Sequence, residues 1–178
     1  AHQRVNQWNQ WFKAKQEPAE KMILAAAKRY FEGAAKRYAT RIRKNVKTKS
    51  IVDLGELQAL AEEQTYIFNS IGGVWQKVWG LVGTSELENV YRLARIPKPL
   101  DVQFSQREIM LEYIDTMKKE LSQTTADAVR KSVQNGLIEG KSVNEIANSI
   151  QTIAAFAPSR SMLIARTEST RAANRAAI

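Results

Sequence analysis

The chain has 178 residues, 25% of them charged, and 27 Lys and Arg against 18 Asp and Glu give it a net charge of +9. It has no cysteine and a single histidine, His2, which excludes disulfides, thiolate metal sites, a His-based metal cage and a Ser-His triad. No apolar run reaches the roughly 18 residues of a membrane span, and the N-terminus lacks the apolar segment of a signal peptide, so we expect a cytoplasmic origin and no membrane partner.

The first fifty residues predict a short helix followed by a long basic one. Val5, Trp8 and Phe12 form a helical stripe that ends at Pro18, and the apolar spacing from there to about Val46 is helical throughout. Residues 1–50 hold 13 Lys and Arg against three acids, an imbalance that indicates contact with a polyanion or an acidic surface. We therefore separate residues 1–49, as a basic helical arm or connecting element, from a helical domain at 50–178.

The middle of the chain continues the helical pattern from Asp53 to about Val82. Its stripe passes through Gly72-Gly73 without changing phase, which predicts a kink or a close helix crossing there. Trp75 and Trp79 lie one turn apart and are expected in the core. An extended proline-bearing loop follows at 96–104.

Three Ser-x-x-Glu sequences have the spacing of a capping box and predict helix starts. They begin at Ser85, Ser105 and Ser142 and indicate helices at about 86–95, 106–121 and 143–154. Between the last two, Thr124 and Thr125 open a helix that ends near Gly140, and Pro158 precedes a final helix from about residue 159.

Gly140 suits the left-handed position that ends a helix, and with Ser142 it predicts a helix-turn-helix corner. The second helix of this corner has no Arg or Lys to read DNA bases. No segment shows sustained period-two alternation, so the predicted fold is all-α, a multi-helix bundle with one long basic N-terminal helix.

Several short motifs follow one another over the last sixty residues. They are Ser122–Thr125, Gly136–Gly140, Ser142 with Glu145–Ala147, and Ile164–Glu168 with Arg171, Ala173 and Asn174. In this order they resemble the C-terminal part of the Mu F-type minor head, or head morphogenesis, proteins of tailed bacteriophages. The resemblance covers about 121–178, extends less specifically over 50–120, and is thin over 1–49. It marks as structural or interface residues Gly140, Ser142, Glu145, Arg160, Arg166, Thr167, Glu168, Arg171 and Asn174.

The resemblance implies an assembly component that binds the portal protein or the capsid proteins, in the phage head or, before assembly, in the cytoplasm of the bacterial host. In some phages such a module is fused behind the portal protein. The residues offer no set of nucleophile, base and orienting group, so we expect no enzyme, and we expect no metal or cofactor. The oligomeric state and contact with double-stranded DNA stay open. Glu168 is predicted to form a buried or interface ion pair with an arginine, the alternative being an exposed charge ladder.

Two other functions remain open from the residues. The first is a sequence-independent DNA-binding module, in which phosphates would be contacted by Lys28, Arg29, Lys36, Arg37, Arg41, Arg43 and Lys44. The second is the delivery module of a toxin-type protein, since related modules can precede effector domains.

Overall fold

The computed structural model describes residues 10, 12–45, 59–97 and 102–176. These residues form helices and turns and no strand, which confirms the all-α prediction. Among them, no helix combines the length and the apolar character needed to cross a membrane. In chain order the helices are α1 (Glu17–Asn45), α2 (Leu60–Ile67), α3 (Gly73–Val78), α4 (Thr84–Ala94), α5 (Val102–Ile138), α6 (Val143–Ile150) and α7 (Pro158–Ala176).

Short irregular helical turns join several of these helices. Three π turns lie at Phe12–Gln16, Phe68–Gly72 and Trp79–Gly83, and a 3₁₀ turn lies at Ala154–Phe156. Residues 60–94 therefore run as α2, α3 and α4 without an intervening loop. The predicted stripe at 5–12, the predicted start at Asp53 and the last cations of the N-terminal region, Lys47 and Lys49, lie outside the described residues or side chains.

The long helix α1 runs through the centre of the bundle. Its 29 residues make a rod about 43 Å long. The predicted apolar stripe is buried throughout its described part, with Ile23, Tyr38 and Ile42 all 0% exposed. Small residues such as Ala27 and Ala34 face the neighbouring helices, which lets α7 approach closely along much of α1.

The packing of α1 joins the described N-terminal residues to the rest of the bundle. The buried side of α1 contacts α6 and α7, and its residues belong to the same core as those of α3, α5, α6 and α7. The described part of the expected arm, residues 12–45, is therefore the centre of the bundle. A basic composition suggested an exposed rod, but the cations lie mainly on one side and the alanines and aromatic residues on the other.

Two of the three predicted capping boxes are wrong. Ser85 is the second residue of α4 because the helical run continues from the preceding π turn, and Ser105 lies inside α5, which starts at Val102. The expected helix start at Thr124 is wrong for the same reason, since α5 continues for 37 residues. Thr124 and Thr125 fit within it because their hydroxyls donate to the carbonyls of Glu120 and Leu121.

The close crossing predicted at the glycine pair is confirmed at Gly72. A Cβ atom added there would lie 3.1 Å from Ile114 Cγ2 on α5, whereas one added to Gly73 would meet nothing within 4 Å. Trp75 and Trp79, 0% and 4% exposed, stack on each other in the core as expected, with their ring centroids 5.0 Å apart.

Candidate functional site

Glu168 is the centre of a polar cluster that joins α3, α5 and α7. Its side chain is buried, and Oε2 accepts hydrogen bonds from Trp75 Nε1 at 3.1 Å and from the Tyr113 hydroxyl at 2.6 Å. Arg171, one turn along α7, donates from Nη1 to Glu168 Oε1 at 3.2 Å and to the Tyr113 oxygen at 2.6 Å. The predicted ion pair of Glu168 is thus present, and it holds α7 against two other helices.

The electrostatics of this cluster follow from its burial. Burial raises the pKa of Glu168 above its ordinary value, and the Tyr113 hydrogen bond, the Arg171 charge and the Trp75 hydrogen bond offset only part of that rise. Burial and the neighbouring carboxylate also raise the pKa of Tyr113. Both oxygens of Glu168 accept hydrogen bonds from within the fold.

Arg160 forms a second polar connection, between α5 and the start of α7. Nη2 donates to Thr124 Oγ1 at 2.7 Å, while Nη1 donates to Thr125 Oγ1 at 3.1 Å and to the Ala155 carbonyl at 2.9 Å. The guanidinium also lies 4.9 Å from the centre of the Phe31 ring of α1. Burial lowers the pKa of Arg160, since the oxygens that accept these three hydrogen bonds are all neutral. The Ser-Gln-Thr-Thr motif is therefore where Arg160 docks on α5.

The corner between α5 and α6 has the predicted geometry. Gly140 has φ +73°, and Lys141 N–H donates to the Gly136 carbonyl at 2.9 Å while Gly140 N–H donates to Leu137 at 3.1 Å. These two bonds form the Schellman arrangement that ends a helix. Ser142 and Glu145 then make a reciprocal capping box at the start of α6.

Gly136 has a role at this corner that the sequence pattern did not show. A Cβ atom there would lie 2.6 Å from Ile146 Cγ1, closer than real side chains approach. The absence of a side chain at 136 therefore lets α6 fold back against the end of α5. The only signal in the sequence was the glycine itself, inside an otherwise helical segment.

The other residues of the family motif have different surroundings. Arg166 is exposed, and its Nε lies 3.4 Å from Glu20 Oε1 on α1. Thr167 borders a small cleft of about 190 Å³ beside Glu168. Asn174 lies in the last turns of α7, with its side chain outside the described part of the structure. Thr167, Glu168 and Arg171 thus line one cleft together, whereas Arg166 lies against α1.

Glu63 is the centre of a third polar cluster, one that the sequence analysis missed. Its side chain is 0% exposed. Arg37 donates from Nε to Oε1 at 2.9 Å and from Nη2 to Oε2 at 2.7 Å, Arg41 Nη1 donates to Oε1 at 3.0 Å, and the Tyr30 hydroxyl lies 3.2 Å from Oε2. Residue 63 lies four before the buried Ile67 on α2, and this spacing was the signal for an acid facing the core.

The two arginines of this cluster stabilise the ionised form of the Glu63 carboxylate. Burial tends to raise the pKa of Glu63, but the hydrogen bonds and positive charges of Arg37 and Arg41 outweigh it and hold that pKa below its ordinary value. Arg41 also donates from Nη2 to Glu62 at 2.7 Å, so both of its terminal nitrogens are occupied. Buried Glu63 therefore orients both Arg37 and Arg41, so neither is a freely exposed cation, and their contact with phosphates stays a prediction.

The remaining predicted cations form an exposed surface on α1, which we call the basic face. Arg43 donates from Nη2 to Asn148 on α6 at 2.8 Å, and Arg29 Nε donates to the Ala25 carbonyl. Glu32 is an exposed acid on the same side of the helix. The basic face consists of Lys28, Arg29, Lys36, Arg43 and Lys44, all of them exposed.

Within the described part of the chain, no group of three or more His, Cys, Asp or Glu side chains is placed to hold a metal ion. Comparisons with known proteins give no assignment, since no family model, no curated protein and no solved structure matches the chain.

Proposed function

We propose that this chain is a non-catalytic assembly component of a tailed-phage head, which docks on the portal protein or on the inner surface of the capsid. The proposal rests on one observation, that the residues of the family motif form contacts within the fold. Arg160, Gly140, Ser142, Glu145 and Glu168 each fix one helix or turn relative to another.

Motif residues that hold helices together favour a structural role for the motif over a catalytic one. A catalytic centre needs a nucleophile, a base and an orienting group around a space that a substrate can enter. Glu168 is instead enclosed by hydrogen-bond donors of its own fold, and Arg160 is bound to hydroxyls and a carbonyl. The outer helix surfaces are left to bind partners.

The genome that encodes the chain gives the first test of this proposal. We expect portal and major capsid genes beside the coding sequence, or a portal gene fused to it, and we expect mass spectrometry to find the chain in gradient-purified heads at a few copies each. A coding sequence far from any head gene, together with heads that lack the chain, would refute the proposal.

We further propose that the basic face lets the same module bind DNA without sequence preference. Five exposed cations on one side of a single helix, accompanied there by the acid Glu32, form a surface that attracts phosphates. The absence of Arg and Lys from α6 agrees with binding through the backbone of DNA rather than through its bases.

The salt dependence of DNA binding tests this second role. The double variant Lys28→Gln, Lys36→Gln should bind a random duplex more weakly and reduce the slope of log affinity against log salt by about 2, because each neutralised phosphate contributes roughly one unit to that slope. The matched control is Lys77→Gln, Lys131→Gln, which removes the same charge from exposed positions on α3 and α5. Equal effects of the two pairs, or binding independent of salt, would contradict a specific role for the basic face.

A further inference from the structure

A groove of about 370 Å³ runs along one side of α1, between this helix and the segment from α2 to α3. Its apolar floor is formed by Ala26, Tyr30 and Val74. Its rim carries polar side chains from both walls: Arg29 and Arg37 on α1, and Tyr66, Asn69 and Ser70 opposite. Among the described residues no carboxylate lines the groove, since Glu63 lies buried behind Arg37.

The Arg37 guanidinium lines this groove, with two of its nitrogens bonded and the third available. Its Nε and Nη2 donate to Glu63, and its plane lies over the Tyr66 ring, with Cζ 3.8 Å from the ring centre. Nη1 has no hydrogen-bond partner in the described part of the chain. A Cβ atom at Gly33 would lie 2.9 Å from Nη1, so the glycine leaves the space that this nitrogen occupies. Two contacts thus orient the fork while one of its nitrogens stays available.

Arg29 and Asn69 supply further donors on the two walls. Arg29 uses only Nε, toward the Ala25 carbonyl, and its terminal nitrogens have no partner among the described residues. Asn69 is exposed, and its side-chain amide likewise has no bond there. The Ser70 hydroxyl is used within the helix, where it donates to the Tyr66 carbonyl at 2.6 Å. The groove is therefore rich in donors of which two are cationic.

We propose that this groove binds a phosphate group, held by the Arg29 and Arg37 guanidinium groups and by the Asn69 amide. Guanidinium forks match the oxygens of phosphate in geometry and charge. Arg29 belongs both to the groove and to the basic face, so a phosphodiester chain that crosses the basic face enters the groove at this residue. In that respect the inference rests on the proposed DNA-binding role and names the phosphate contact within it.

A cleft lined mainly by α5 has a different character. It lies beside Tyr113 and Arg171, and its rim includes the carboxylates of Glu112 and Glu120. These acids would repel a phosphate. The charge of the lining residues therefore distinguishes the groove on α1 from this cleft.

The test combines two ligands with one pair of matched variants. Inorganic phosphate is titrated into the ¹⁵N-labelled chain and followed by the amide resonances of residues 66–70, and a random DNA duplex is titrated by fluorescence anisotropy. The variant is Arg29→Ala, Asn69→Ala, which changes two exposed side chains outside the core. The control is Arg130→Ala on α5, where the arginine lies 3.4 Å from Asp127.

For the full chain we expect saturable shifts with phosphate near the groove, abolished in the double variant and kept in the control. DNA affinity should fall about tenfold in the double variant, and the salt slope should decrease by about 1. Phosphate binding of this kind without DNA binding would support the groove as a site for free phosphate and refute the DNA-binding role. If the double variant binds phosphate and DNA as well as the unmodified chain does, the proposal that the groove binds phosphate is refuted. The DNA-binding role of the basic face would then still stand if Lys28→Gln, Lys36→Gln weakened DNA binding. Absence of binding to either ligand would refute both.

Discussion

Glu62 and Glu63 are adjacent acids on α2 that share a partner, Arg41, but have opposite environments. Glu62 is 53% exposed and is bound by Arg41, whereas Glu63 is 0% exposed and is bound by Arg37, Arg41 and Tyr30. An exposed ion pair contributes little because water screens it. A buried charge is stable only when its partners compensate it. If one partner is removed, the charge of the other is left buried without compensation, which destabilises the fold.

The substitution Glu63→Gln should therefore lower the free energy of unfolding by roughly 3 kcal/mol, because it leaves two arginines without their buried counter-charge. Glu62→Gln is the matched control and should cost about 0.5 kcal/mol or less. Urea unfolding of both variants at pH 7 measures the difference. Equal and small losses would mean that the Glu63 cluster does not stabilise the fold.

The pH dependence of stability should differ in sign between Glu63 and Glu168. The pKa of Glu63 is lowered by its arginines, so its contribution is complete above about pH 4.5 and is lost as the pH falls through the depressed folded-state pKa. The pKa of Glu168 is raised by burial, so its folded form binds a proton more readily than the unfolded form, and its contribution decreases as the pH rises above about 4.5.

Urea unfolding between pH 7 and pH 4 tests this contrast. The loss in free energy of unfolding caused by Glu63→Gln, relative to the unmodified chain, should become smaller toward the acid end of this range and below it. The deficit of Glu168→Gln should grow as the pH falls toward 4.5. Parallel pH profiles for the two variants would contradict the assigned environments.

At the scale of the elements, glycines decide how closely helices approach. Gly136 lies where α6 folds back on α5, and a Cβ there would overlap Ile146, while Gly73 on α3 faces no neighbour within 4 Å. Both positions are helical, Gly73 with φ −64° and ψ −37°. Helix propensity alone would favour alanine at each of them.

The two substitutions should therefore act in opposite directions. Gly136→Ala should destabilise the chain by about 1–3 kcal/mol because Ile146 must move. Gly73→Ala should stabilise it by about 0.4–1 kcal/mol, since alanine loses less backbone entropy on folding. Melting curves of the two variants are sufficient, and an equal shift in the same direction would contradict the tight crossing at Gly136.

The elements also show what the sequence can predict. The stripe of α1 and the Gly140–Ser142 corner were predictable because their signals are local: apolar spacing, a left-handed glycine and a capping box. The helix start expected at Thr124 was not predictable, because a hydroxyl can donate to a carbonyl within a helix as well as cap a helix start. Thr124 also accepts a hydrogen bond from Arg160 on another helix, and the pattern of a single sequence does not show such a contact.

The same distinction holds for the candidate sites. The ion pair of Glu168 was predictable from Arg171 one turn away, whereas its bonds to Trp75 and Tyr113 depend on how three helices meet. The ion pairs of Arg37 and Arg41 with buried Glu63 were not predictable, because in the sequence these two arginines look like the other cations of the helix.

At the scale of the whole molecule, α1 joins the described residues into one core. Ile42 near its C-terminal end is 0% exposed, and α1 packs against both α6 and α7. Thr40, two residues earlier, is exposed, and its hydroxyl donates to the Lys36 carbonyl of the same helix. A change inside the core should therefore affect distant helices, whereas a change on the surface of α1 should not.

Hydrogen exchange measures this coupling. Ile42→Ala should destabilise the fold by about 2–5 kcal/mol and reduce the protection of amides in α5, α6 and α7 as well as in α1. Thr40→Ala is the control and should leave protection in the other helices unchanged. Faster exchange confined to α1 after Ile42→Ala would show that this helix folds separately from the others.

We propose that the chain is a docking module of a phage head, with its motif residues holding the fold and its surfaces binding partners. The most direct measurement is light scattering, coupled to size exclusion, of the purified chain mixed with the portal ring and with the major capsid protein of the same phage. The claim predicts a saturable complex with one of them, and the same complex for Glu62→Gln, which leaves the core intact. A folded chain that forms no complex with either protein at any concentration tested would contradict it.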